Sequence, residues 1–211
     1  MTSHSKNILV LAPHTDDGEL GCGGSISKYL EGDNNVYYAA FSTAKESLPK
    51  GMPDDQLETE VKEATRRLGI APENLIIYGF TVRKLSYSRQ ELLEELVKLK
   101  REIVPDLVLM PTPNDLHQDH YTVAIEGMRA FKQTSILAYE LPWNNISFNT
   151  QAFIKLDRKH VEKKVNALDA YKSQKKRSYL NSEFIFSLAK TRGVQINADF
   201  AEAFEVIRWI I

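Results

Sequence analysis

Continuous apolar runs alternate along this chain with stretches in which apolar residues recur every three to four positions. The runs at 7–12, 36–42, 75–80, 107–111 and 136–140 are rich in Val, Ile, Leu and Tyr. They lack the in–out alternation of a half-exposed strand, which suits parallel strands buried on both faces. Between them the period lengthens to that of amphipathic helices, near 24–31, 54–68, 88–103 and 120–131. Asp54 or Asp55 fits the N-cap of the second helix, and Gly69, just after Leu68, fits its left-handed stop. This βαβ rhythm predicts an α/β fold, a single Rossmann-like domain over 1–211 with a mostly parallel central sheet and helices on both faces.

Beyond the fifth run the pattern changes. A long helix is expected over 158–174, with Val161, Val165, Leu168 and Tyr171 at helical spacing, followed by another near 178–193. In the closing segment, 200–211, the residues from Phe204 to Trp209 alternate like a strand. The connection at 43–53 holds Pro49, Gly51 and Pro53 and reads as a mobile loop at one end of the sheet. No repeat, low-complexity tract or linker interrupts the chain.

Composition narrows the function classes. With 211 residues, 43% of them hydrophobic, the chain can bury a substantial core. A formal net charge of −1 argues against nucleic acid or an anionic membrane surface as partner. No apolar run approaches the roughly 18–20 residues of a membrane span. The polar stretch before Asn7 lacks a signal-peptide pattern, so the chain reads as cytoplasmic. Cys22 is the only cysteine, which excludes an internal disulfide and a cysteine-rich zinc module. Any metal must therefore be held by histidine and carboxylate.

Those residue types gather at two strand ends. The first run stops at His14-Thr15-Asp16-Asp17-Gly18-Glu19, followed by the turn Gly21-Cys22-Gly23-Gly24. The fourth is followed by Pro113-Asn114-Asp115-Leu116-His117-Gln118-Asp119-His120. Ligands of open α/β sheets bind beyond the carboxyl ends of strands, and right-handed crossovers bring such loops to one rim. Two histidines and one aspartate drawn from His14, Asp16, Asp17, His117, Asp119 and His120 would make a catalytic zinc site with an open position. A remaining carboxylate could then serve as general base. Each motif alone has a plainer reading, since aspartates after a strand often cap the next helix and paired histidines recur by chance. Both at strand ends, in a chain with five histidines, point to a site. His4 and His160, on a polar terminus and a charged helix, read as solvated surface.

Other features carry weaker signals. Glu140, Trp143 and Asn144, past the fifth run, offer an aromatic face and hydrogen-bonding groups suited to a sugar; the alternative is a structural turn with a packed Trp143. Lys175-Lys176-Arg177 reads as a solvated helix end or as a contact for a nucleotide diphosphate. Cys22 reads as a small buried residue, not a nucleophile. The glycines match neither GxGxxG nor a P-loop, and close strand–helix packing explains them.

In order and spacing, the two constellations resemble the zinc-dependent de-N-acetylases that include N-acetylglucosaminyl-phosphatidylinositol deacetylase and the LmbE-like proteins. The family's His-Pro-Asp-Asp-Glu and distant His-Pro-Asp-His stand here as His14-Thr15-Asp16-Asp17-Gly18-Glu19 and His117-Gln118-Asp119-His120, with Ser173-Gln174 and Glu202-Ala203-Phe204 later. The resemblance implies His14, Asp17 and His120 as zinc ligands and Asp16 as general base. It implies His117 as the group that polarises the carbonyl or stabilises the oxyanion, and Asp119 as the orienter of an imidazole. Thr15 and Gln118 replace prolines without removing a ligand. Gly18 stands where many members carry glutamate, and Glu19 meets the Asp-Asp-x-Glu form of a subgroup. The arginine with which some members hold a substrate phosphate has no counterpart near Leu57, Arg66 and Arg67 lying later.

The implied activity is zinc-dependent removal of the N-acetyl group from an N-acetylated amino sugar or its conjugate, of N-acetylglucosamine type, releasing acetate and a free amine. The implied cofactor is Zn²⁺ and the partner a small-molecule sugar or glycoconjugate; homo-oligomers occur in the family. Two other readings compete: a metal-dependent hydrolase of another acyl amide or ester, and a non-catalytic sugar or nucleotide binder on the same fold. A binder has no reason to keep His14, Asp16, Asp17, His117 and His120 together. Whether Asp16 or His117 protonates the leaving amine stays open.

Overall fold

The structure, a computed structural model, describes residues 5–211, so that His4 lies outside the described residues. The strands are β1 (Asn7–His14), β2 (Asn35–Ser42), β3 (Leu75–Ile77), β4 (Leu107–Pro111), β5 (Ser135–Tyr139), β6 (Ala152–Leu156) and β7 (Phe200–Arg208). The helices are α1 (Asp17–Glu31), α2 (Gln56–Leu68), α3 (Arg89–Ile103), α4 (Gln118–Ala130), α5 (Arg158–Leu168) and α6 (Ser182–Val194). One sheet carries all seven strands in the order β3-β2-β1-β4-β5-β7-β6. The first five are parallel, and β7 and β6 add an antiparallel edge. The expected α/β fold with a mostly parallel sheet is the fold observed.

β1 lies centrally between β2 and β4, and its residues 8 to 12 are fully buried. Ile8 and Val10 face the layer built with α1, α2 and α5, whereas Leu9 and Leu11 face the layer of α3 and α4. Burial on both sides is why the run is continuously apolar instead of alternating. The chain reverses its direction of winding between β1 and β4, so the loops after these two strands meet at the topological switch point.

Several elements differ from expectation. α1 begins at Asp17, not near residue 24, and is kinked at Cys22, whose φ of −144° is non-helical. The kink frees amides of the second segment, and the buried Glu202 accepts from the N–H groups of Gly24 (3.0 Å) and Ser25 (2.7 Å). At Gly21 a side chain would strike the Tyr139 ring, so glycine is needed for close helix–sheet approach. α5 stops at Leu168 instead of 174, and α6 starts at Ser182 behind an Asn181 cap that accepts from Phe184 N–H at 2.8 Å. β6 has no counterpart among the expected strands. His160 is buried, correcting its solvated reading: its Nδ1 accepts from the Asp157 N–H (2.9 Å) and its Nε2 meets Glu31 (2.5 Å). Among the described residues no helix is long and apolar enough to cross a membrane.

Candidate active site

Three ligand-type atoms converge at the switch point. Asp17 Oδ2 lies 3.1 Å from both His14 Nδ1 and His120 Nε2, and these two nitrogens are 3.2 Å apart. His14 ends β1, Asp17 opens α1, where its carboxylate also accepts from the His14 N–H at 2.8 Å, and His120 sits in the first turn of α4. The far nitrogen of each imidazole meets a buried carboxylate. His14 Nε2 is 3.0 Å from Asp119 Oδ2, and His120 Nδ1 is 2.8 Å from Asp115 Oδ2.

Those outer carboxylates fix the tautomers, because an ionised carboxylate only accepts. The far nitrogens carry the hydrogens, and the near ones turn lone pairs toward each other and toward Asp17. Three acceptors facing inward require a cation. Zinc with ligands at about 2.0–2.1 Å in tetrahedral geometry keeps its donor atoms roughly 3.3 Å apart, close to the edges of this triangle. The donor set therefore fits a metal. His117 adds a further nitrogen, and the ligand atoms of His14, His117 and His120 all lie within 4.8 Å of one another.

Without a metal, protons on the imidazoles supply the positive charge instead. Burial works against ionising Asp17, but His120 and His14 outweigh it and hold the carboxyl well below its usual range. Burial likewise disfavours charged His120, yet Asp17 and Asp115 push it up to about 10. Asp16, next to Asp17 and facing the cleft, is pushed up to about 6, by burial first and then by its neighbour's charge; His14 and Arg177 pull the other way. His117 is pushed down to about 4 by burial and by the two other imidazoles. Its ring accepts from the Asp119 N–H at 3.2 Å as the cap of α4, which leaves its hydrogen on Nε2.

Behind the loop, Tyr38 and Tyr171 donate to the Thr15 carbonyl at 2.9 and 2.7 Å and flank the buried Glu19. The same hydroxyls also reach the Glu19 carboxyl, that of Tyr171 at 3.1 Å. Burial pushes that carboxyl up to about 8, in keeping with a neutral acid. Gly18 donates to Tyr38 Oη at 3.0 Å, and a Cβ there would come within 2.5 Å of the Tyr38 ring. That contact accounts for glycine at this position.

His14, Asp16, Asp17, His117 and His120 line one cleft with Trp143 and Asn144. Trp143 spends one face on Tyr179, the rings stacked 3.8 Å apart at 4°. Glu140 is not in this wall: Arg192 takes its carboxylate, with Nε 2.9 Å away, and turns it toward a separate small cavity. The expectation of Glu140 as a sugar contact is therefore corrected. Asp119 stands behind His14, away from the cleft surface.

Sequence reasoning missed Asp115, which lies five residues before its partner His120 and looks like any loop aspartate. It also missed Arg83, Gln174 and Tyr179 as cleft residues. Lys175 and Lys176 are solvated, as the helix-end reading expected, while Arg177 reaches the cleft. Glu60 of α2 anchors this segment, accepting from Ser173 N–H (2.9 Å) and Oγ–H (2.5 Å). Ser173 and Glu202, parts of the two later motifs, thus act as structural clamps. Cys22 is buried with its thiol pushed up by burial, an inert residue.

Comparisons with known proteins point to one family. The family described as PIG-L, GlcNAc-PI de-N-acetylase, matches residues 9–131, which include both motifs. The uncharacterized deacetylase YaiS of Escherichia coli (strain K12) is 30% identical over 175 residues, covering 80% of this chain and 91% of YaiS. Diacetylchitobiose deacetylase of Thermococcus kodakarensis is 30% identical over 134 residues, 59% of this chain and 49% of that enzyme. The fold is shared with the conserved protein TT1542 from Thermus thermophilus, with a TM-score of 0.82, 24% identity and coverage of 98% and 96% of the two chains. With the family match spanning both motif regions and YaiS aligned along most of its length, the chain belongs to the PIG-L family of deacetylases.

Proposed function

We propose that the protein is a zinc-dependent hydrolase that removes the N-acetyl group from an N-acetylated amino sugar or its conjugate, releasing acetate and a free amine. The observation that carries this reading is the inward-facing triangle of His14 Nδ1, Asp17 Oδ2 and His120 Nε2, with Asp16 beside it in the cleft. Zinc held there would supply Lewis-acid polarisation of the acetamide carbonyl and acidify a water.

The chain's own residues do the rest. Asp16, raised to about 6, is ionised near neutrality yet basic enough to take a proton from the attacking water. His117, with Nδ1 occupied by the Asp119 N–H, presents Nε2–H to the oxyanion; one such donor is typically worth about 3 kcal/mol. Its lowered pKa supports the neutral form, which donates a hydrogen bond but holds no spare proton. That favours Asp16 as the group that carries the proton on to the leaving amine. Asp119 and Asp115 keep the metal-binding imidazoles in tautomer and orientation. A GlcNAc-type substrate is supported by the relative that acts on diacetylchitobiose and by the amide groups of Asn144 and Gln174 in the cleft.

The test joins metal analysis of purified protein to a panel of free, nucleotide-linked and lipid-linked N-acetyl sugars assayed for released amine. Stoichiometric zinc and amine from at least one sugar are expected. Absence of zinc, together with ligand binding unchanged in His120→Ala, would refute an enzyme. Hydrolysis of other acyl compounds but none of the sugars would reassign the substrate.

A further inference from the structure

A buried hydroxyl beneath the cleft takes no part in the proposed chemical steps. Tyr171 is buried, its ring in the same core cluster as Tyr38. Its hydroxyl reaches the Thr15 carbonyl at 2.7 Å and Glu19 Oε1 at 3.1 Å. A hydroxyl carries a single hydrogen, and the carbonyl is the nearer acceptor. Tyr38 Oη is more divided. It lies 2.9 Å from the same carbonyl, accepts from the Gly18 N–H at 3.0 Å and also meets Glu19.

The Thr15 carbonyl belongs to the peptide unit that carries the N–H of Asp16. Because that unit is planar, a bond to its oxygen also sets where the Asp16 Cα stands. On the other side, the carbonyl of Asp16 accepts from the Leu20 N–H at 3.0 Å. Both peptide units flanking Asp16 are therefore held. The neighbouring carboxylates differ in this respect. Asp17 is tied through Oδ2 to the His14 N–H at 2.8 Å and to two imidazoles at 3.1 Å. Asp16 stands at the N-cap of α1, yet its side chain makes no cap bond, so its direction depends on its backbone. Tyr171 is in turn fixed from α2. Two residues on, Ser173 gives its N–H (2.9 Å) and Oγ–H (2.5 Å) to the buried Glu60. The same turn carries Gln174 to the cleft. One clamped segment thus reaches both the cleft wall and the peptide in front of Asp16.

We propose that Tyr171 is a positioning residue for the general base: by holding the Thr15 carbonyl, its hydroxyl sets the place from which Asp16 takes the proton of the attacking water. It acts through Asp16 and not on the metal, because Asp17 is fixed by bonds of its own. This rests on the reading of Asp16 as base and adds what places it.

The test is a double-mutant cycle of Tyr171→Phe and Asp16→Asn, with zinc content, KM and kcat measured on N-acetylglucosamine and N,N′-diacetylchitobiose. Phenylalanine keeps the ring in the core and removes the hydroxyl alone. Tyr171→Phe should hold about one zinc per chain, keep KM within about twofold and lower kcat about 10–100-fold, the scale of a displaced catalytic group. In the Asp16→Asn background the same change should alter kcat by less than about twofold, because the group it places is gone. A purely structural defect multiplies with Asp16→Asn, so equal losses in both backgrounds would overturn the proposal, as would an unchanged kcat in Tyr171→Phe. Undiminished kcat in Asp16→Asn would instead refute the base reading. Hydrogen exchange at the Leu20 amide gives a readout free of turnover and decides the matter if neither sugar is hydrolysed. Relative to Val10 in β1, it should quicken about threefold to tenfold in Tyr171→Phe, and equal protection in variant and parent would overturn the proposal. If Tyr171→Phe does not fold, Ser173→Ala, which loosens the same segment at Glu60, replaces it in both measurements with the same pattern expected.

Discussion

Asp119→Asn probes the link between the scaffold and the metal-binding histidines. The Asp119 side chain is fully buried, and its oxygens accept from Arg83 N–H, Leu85 N–H and His14 Nε2. Asparagine keeps one oxygen. The least costly orientation leaves that oxygen where Oδ2 stands, serving Arg83 and His14, and sets its NH₂ against the Leu85 N–H. One charged hydrogen bond is then replaced by two opposed donors, a loss of about 2 kcal/mol. For a chain of this length that lowers Tm by about 4–8 °C. The His14 imidazole also loses the full charge that fixes its tautomer, and changes of this kind weaken metal binding about 10–100-fold. Urea unfolding of metal-free protein isolates the first effect from metal linkage, and zinc titration against a competing chelator reads the second. A variant with the parent's midpoint and a zinc Kd within about twofold would refute the reasoning.

Two further outcomes follow from the same geometry. Asp16 must be ionised to accept a proton, so kcat/KM should fall about tenfold per pH unit below its pKa of about 6. A bound cation can only move that limb lower, so an acid limb above pH 7 would contradict the assignment. Gly18→Ala places a Cβ 2.5 Å from the Tyr38 ring and should cost about 1–3 kcal/mol in urea unfolding. Combining it with Tyr38→Ala should recover part of that cost, and strict additivity would refute the clash.

Strands were readable because burial on both faces writes itself into a strand as continuous Val, Ile and Leu, as in β1. β6 escaped because Ala152–Leu156 is a short, half-exposed edge whose only strand partner, β7, lies more than forty residues later. The early start of α1 was hidden by Gly18, Gly21, Gly23 and Gly24, which disfavour helix locally; Gly18 and Gly21 let Tyr38 and Tyr139 pack closely, and Gly23 and Gly24 admit Lys164 and Leu156. At the site, the residues singled out for chemistry stand together because they lie at the ends of two adjacent strands. Their supports were not legible. Asp115 and Asp119 are similar aspartates until the fold assigns each to a different imidazole, and Arg83 owes its position to a backbone bond with a residue 36 positions away.

The division of labour between adjacent aspartates is tested most directly by measuring zinc content and turnover together in Asp16→Asn and Asp17→Asn. Asp16→Asn should keep about one zinc per chain and lose about 10²–10⁴ in kcat. Asp17→Asn should lose the metal itself, one corner of the triangle at 3.1 Å from each histidine being gone. Zinc lost from Asp16→Asn and retained in Asp17→Asn would show the two roles exchanged and contradict the account.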